Sequence, residues 1–124
     1  MKTSKSAQEK RKEERACLPS FFEKHIKIAK GMCCEECGEK LRGHVSEIAH
    51  VLPKSYFKSI MCNDNNVHYL CGMFSDNQCH SNFDNWSAEK VKTMNIYETS
   101  KNKFKELEEY ITEKISYKIY DKYD

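Results

Sequence analysis

The sequence predicts a small α+β domain held together by zinc, and three observations carry that expectation. The chain has 124 residues, 32% of them charged, so it can bury only a modest core. It nevertheless carries seven cysteines, far above ordinary usage. Two pairs of those cysteines frame two short apolar runs that read as strands, while helical spacing of apolar residues marks both ends.

The elements follow in chain order. Residues 1–18 form a basic arm with almost no apolar content, expected to be frayed or weakly helical. Residues 19–86 form the core and residues 87–124 a C-terminal helical extension. From Pro19, the residues Phe21, Phe22, His25, Ile26, Ile28 and Ala29 recur at helical spacing, and Gly31 is a plausible stop. MCCEECGEKL is a turn of the metal-knuckle type. VSEIAHVL is rich in β-branched residues and suits a strand that Pro53 ends, because proline lacks the donor a ladder needs.

The NDNN cluster at 63–66 predicts a turn, and VHYLC a second strand completing a ribbon. CHSNFDNW is expected to start a helix, and Ser87 to cap another at SAEKVKTM. Phe104, Leu107, Ile111, Ile115 and Ile119 then stand three or four apart, the stripe of a long amphipathic helix that could serve the core, a protein partner or a homodimer.

Charge and termini narrow the function classes. Net charge is only +2, but the excess of Lys and Arg lies in residues 1–30 while residues 31–86 are acidic on balance. A basic arm suits a phosphate-rich partner such as DNA, and equally suits a solvated tail. The opening MKTSKSAQEKRKEERAC offers neither a translocon nor a bilayer an apolar segment, so the expectation is a cytoplasmic protein with no membrane partner and with reduced thiols.

Reduced, clustered cysteines point to metal rather than disulfides. Cys34 and Cys37 form a C-x-x-C knuckle followed by Gly38, so two thiolates can reach one ion from a tight turn. Cys71 and Cys79 are the best second pair, provided the intervening GMFSDNQ loops out. Cys33 could compete with Cys34, while Cys17 and Cys62 read as spare thiols. Zinc on four cysteines could contribute about 10 kcal/mol of folding free energy, large beside the roughly 5–15 kcal/mol stability of an ordinary domain.

"SEIAHVLPKSYF", "NNVHYLC" and "CHSNFD" resemble the three blocks of the HNH endonucleases, the ββα-metal nucleases, in the subtype whose zinc-binding cysteine pairs flank the active hairpin. The resemblance covers about Cys34 to Asp84, with the flanks loosely similar to small phage-type members acting inside a host cell. It implies a metal-dependent DNA endonuclease in which His50 is the first histidine, Asn66 the asparagine and His80 the last histidine, with products bearing 5′-phosphate and 3′-hydroxyl.

The chemistry asks for the same residue types. Phosphodiester hydrolysis needs an activated water, a cation against the charge that develops on phosphate and leaving oxygen, and a support for the base. Neutral imidazole can take the proton near neutral pH, a role assigned to His50. Asn66, or its neighbour Asn65, would fix that ring. On a helix His80 and Asp84 lie four apart and share a face, where they could hold one cation: Mg²⁺, Mn²⁺, Ni²⁺ and Zn²⁺ all fit.

Ala49 stands where many family members place a metal ligand. Either the cation relies on His80, Asp84, water and phosphate oxygens, or Glu47 substitutes, or catalysis is lost and a zinc-binding DNA- or protein-interaction module remains. His44, sharing strand parity with His50, is a candidate substrate contact, and Lys54 and Lys58 are candidate phosphate contacts. His25 reads as a surface or core-edge residue and His68 as a strand residue, while Phe83 and Trp86 read as core.

Overall fold

The computed structural model describes residues 6–114 together with Lys122 and Tyr123. Helix α1, Ala7–Glu14, starts where the Ser6 side chain accepts from the Glu9 amide. It buries no side chain, and its end is tied to the body by an ion pair of 2.7 Å between Glu14 and Lys58. Helix α2, Leu18–Ala29, begins with proline in its first turn, where the missing N–H costs nothing. Its apolar stripe turns Leu18, Phe21, His25 and Ala29 inward.

The knuckle follows, closed by a bridge between Cys33 and Lys40. Gly38 adopts a φ of 81°, a left-handed conformation open to glycine at little cost. The predicted strand through VSEIAHVL is much shorter than its composition suggests. Residues Val45–Glu47 form a 3₁₀ turn, and only Ile48–Ala49, strand β1, pairs with His68–Tyr69, strand β2, in an antiparallel ladder.

Two side chains explain the shortening. The Glu47 carboxylate accepts from the backbone amides of Arg42, Gly43 and His44, which curls the chain before the ladder can start. Beyond β1, Asn66 does a strand's work with a side chain: its Oδ1 accepts from the Leu52 amide, and its Nδ2 donates to the carbonyls of Leu52 and Ile60.

Helix α3, Cys79–Asn85, starts directly after Gln78, whose φ of 50° is the sole positive value among described non-glycine residues. Helix α4, Ala88–Val91, is capped by Ser87 as anticipated, but is only one turn long. Helix α5, Tyr97–Leu107, gives way to a 3₁₀ turn at Glu108–Tyr110 and extended backbone at Ile111. The long helix expected through Ile119 therefore stops early. Ser59 provides the reason, since its hydroxyl accepts from the Thr112 amide and its own amide donates to Glu113, taking the chain out of the helix. Ile115 and Ile119 lie outside the described residues.

The core is continuous. Phe57, Phe83, Leu52, Ile60, Met61 and Leu70 are fully buried between α2, the ribbon and α3, and Leu107 and Phe104 join α5 to them. At the far end of the chain Tyr123 returns to this body, with its ring stacked on Phe104 at 5.2 Å and its hydroxyl donating to the Val51 carbonyl at 2.8 Å.

Candidate active site and metal centre

Cys34, Cys37, Cys71 and Cys79 converge, and their four sulfurs all lie within 4.8 Å of one another. The separation of Cys37 and Cys71 Sγ is 3.8 Å, and a tetrahedral ion with bonds of about 2.3 Å to sulfur would set its ligands about 3.8 Å apart. The donor set and its spacing suit a metal ion such as zinc. Burial pushes the Cys34 and Cys79 thiols up, and a divalent cation is the natural means of holding such sulfurs as thiolates. The loop 72–78 bulges out between its two cysteines, exposing Met73 and Phe74.

Cys33 is exposed and outside the tetrad. The reading of Cys17 and Cys62 as spare thiols is overturned: they are joined by a disulfide with Cα atoms 6.3 Å apart. Reduced thiols were expected throughout, and the fold instead brings together two cysteines 45 residues apart.

The residues between the knuckle cysteines are structural. Glu35 accepts from the Tyr69 amide and meets His68 Nδ1 at 3.1 Å. Glu36 accepts from the amides of Asn95 and Ile96, where its charge complements the start of α5. His68 Nε2 lies 2.6 Å from Ser100 Oγ, so Ser100, His68 and Glu35 reproduce the connectivity of a hydrolytic triad. Both Ser100 and His68 are 0% exposed, and a nucleophile that no substrate reaches is a core network.

On the other side of the ribbon lies a cleft of about 570 Å³, bordered by His50, His80, Asp84, Lys54 and Lys122 with Phe22 on its apolar wall. His50 Nε2–H donates to the Met61 carbonyl at 2.8 Å, which leaves Nδ1 as the unprotonated nitrogen of the neutral ring. The ring is stacked on Phe21 at 5.3 Å and meets the edge of Phe22 at 5.9 Å. Burial lowers its pKa, the carbonyl opposing this and the charge of Lys54 adding to it.

His80 Nδ1–H donates to the Ser46 carbonyl at 2.6 Å, so its tautomer is fixed with Nε2 toward Asp84. Nε2 and Asp84 Oδ2 are 3.1 Å apart, close to the roughly 3 Å between neighbouring ligands of an octahedral ion with bonds of about 2.1 Å. Burial disfavours a charged His80, but the carboxylate and the Ser46 carbonyl outweigh it and its pKa is raised. Ring and carboxylate thus share a proton, and a cation bonded to both would take that proton's place.

Asn66 reaches this cleft through the backbone: it clamps Leu52, two residues after His50, and Ile60, the residue before Met61. Asn65 is exposed in the turn at 63–66, where its amide donates to the Asn63 side chain. Three other candidates fall away. Glu47 is 3% exposed and its carboxylate is taken up by backbone amides, so it is no metal ligand. His44 caps the 3₁₀ turn by accepting from the Ser46 amide and rests against Phe74, not in the cleft. Lys58 is engaged by Glu14, whereas Lys54 does border the cleft, its Nζ 5.1 Å from the Phe22 ring.

His25, read as a surface or core-edge residue, is buried between the Tyr69 hydroxyl and Asp64. Phe83 is core as read, and Trp86 is half-buried beneath Lys90. Lys122 escaped the sequence reading, because a lysine inside KISYKIYDKY carries no local mark of a site. Its Nζ lies 3.8 Å from the Phe83 ring centroid, and burial draws its ammonium down to about 8 against the pull of Asp84.

No family model matches the chain, and neither a curated protein nor a solved structure does. No described helix is long and apolar enough to cross a membrane.

Proposed function

We propose that the chain is a metal-dependent endonuclease of the HNH type that hydrolyses DNA phosphodiester bonds, with a structural zinc on Cys34, Cys37, Cys71 and Cys79. The observation that carries this reading is the meeting of His50 with His80 and Asp84 in one cleft, from two segments of the chain, with His50 held in the tautomer a base requires.

His50 takes a proton from the attacking water at Nδ1, while the Met61 carbonyl steadies the imidazolium through Nε2–H. Asn66 is a positioning residue, holding the two backbone segments that present His50 and that carbonyl. His80 Nε2 and Asp84 would hold the catalytic cation, which when bound supplies positive charge to the phosphate and the 3′ leaving oxygen. Ala49 is buried in the ladder opposite His68 and offers no donor, so a cation there would have to take its remaining ligands from water and phosphate oxygens. Lys54 adds positive charge to the cleft for the DNA backbone.

A DNA-binding module without activity is the second reading, favoured by the ligand missing at Ala49. Plasmid nicking in Mg²⁺, Mn²⁺ or Ni²⁺ separates the two. Nicking by the wild type that falls about 10²- to 10⁴-fold in His50→Ala supports the enzyme. DNA binding with no nicking in any of the three metals supports the module.

A further inference from the structure

We propose that Lys122 is a DNA-phosphate contact of the cleft, delivered to it from the far end of the chain. The inference rests on the endonuclease reading and adds a residue that none of the histidine- and asparagine-bearing segments contains.

Position comes first. Lys122 borders the same cleft as His50 and Asp84, and its neighbour Tyr123 fixes it there. The Tyr123 hydroxyl holds the carbonyl of Val51, the residue after His50, and its ring is stacked on Phe104 with planes 13° apart. A buried tyrosine bonded to the backbone beside the base keeps the preceding lysine within the cleft.

The chemistry of the ammonium group comes next. It has three N–H donors. Among the described residues it donates to the Phe83 carbonyl, at a long 3.4 Å, and no carboxylate lies within ion-pair distance of it. The face of Phe83 attracts the charge without accepting a conventional hydrogen bond. A cation fixed on an aromatic ring, with N–H donors that no described residue takes up at short range, suits an anionic oxygen arriving from outside.

The test is binding of a short fluorescein-labelled duplex to the full-length protein, zinc retained and no catalytic cation added, across a series of salt concentrations. Lys122→Met keeps the apolar stem over Phe83, and should weaken binding several-fold at low salt and reduce the slope of log K against log salt by about one. Lys122→Arg should retain the wild-type slope, and Lys92→Met, an exposed control outside the cleft, should not change it.

An unchanged slope in Lys122→Met overturns the proposal while leaving the endonuclease reading to its own nicking assay; no binding by the wild type overturns both. A second measurement needs no variant. Acetylation of Lys122 in the wild type by an N-hydroxysuccinimide ester, read by peptide mass spectrometry, should slow several-fold under saturating duplex, and an undiminished rate overturns the assignment.

Discussion

A histidine that takes a proton from water must be uncharged, and the nitrogen that faces the water must be the one without hydrogen. His50 has the tautomer and the charge that the proposed role needs: the Met61 carbonyl claims Nε2–H, and burial beside Phe21 lowers the pKa. The acid limb of the nicking rate should therefore lie below the ordinary imidazole value of about 6.5. Replacing Lys54 with methionine removes a positive neighbour, eases protonation and should move that limb toward higher pH. A pH–rate profile of the two proteins checks both statements, and a wild-type limb above 6.5 would contradict them. The stability linked to His50 has a matching sign. Because its folded pKa is depressed, the contribution is present above the unfolded value and disappears as pH falls through the folded one.

At the scale of elements, the disulfide does more than join two cysteines. Cys17 precedes α2, which places Phe21 and Phe22 against His50, and Cys62 follows Met61, whose carbonyl orients the same ring. One covalent link thus ties together the two elements that frame His50. With the cysteines 45 residues apart, loop-closure entropy alone gives about 4 kcal/mol of stabilisation. Urea unfolding of the Cys17→Ala/Cys62→Ala variant should show a loss of that order, and a difference below about 1 kcal/mol would refute the link's role. The pair was not legible in the sequence, since a separation in sequence carries no information about a distance in space. Helix α2 was legible because its apolar spacing is a local property, and α3 was anticipated as a start at CHSNFDNW. Strand length was not, because Glu47 and Asn66 take over backbone partners from a distance, and neither did the sequence reveal that Ser59 would end α5.

For the whole molecule, a metal ion on the tetrad would be the main fastening, since the four sulfurs bring the knuckle together with the segment after β2 and with the start of α3. Removal of the ion by a chelator should release four thiols and cost about 10 kcal/mol, enough to unfold a domain of ordinary stability. Thiol titration and far-UV circular dichroism on chelation check this, and a protein that keeps its fold with four thiols free would refute it. The tetrad was readable because cysteine is scarce and C-x-x-C is local, and the His80–Asp84 pair because four residues is one helical turn. Lys122 was not, since its place depends on where a remote segment returns. The loop 72–78 has a consequence of its own. At its entry Gly72 lies so close to Ser46 that a Cβ would stand 2.3 Å from the hydroxyl oxygen, and at its exit the His80 amide is bonded to the Cys71 carbonyl. Both anchor points are held by close packing and backbone bonding, while the tip at Met73 and Phe74 stands in solvent. Variation in the length or chemistry of that tip can therefore accumulate, or be grafted by design, while His50, His80 and Asp84 keep their places.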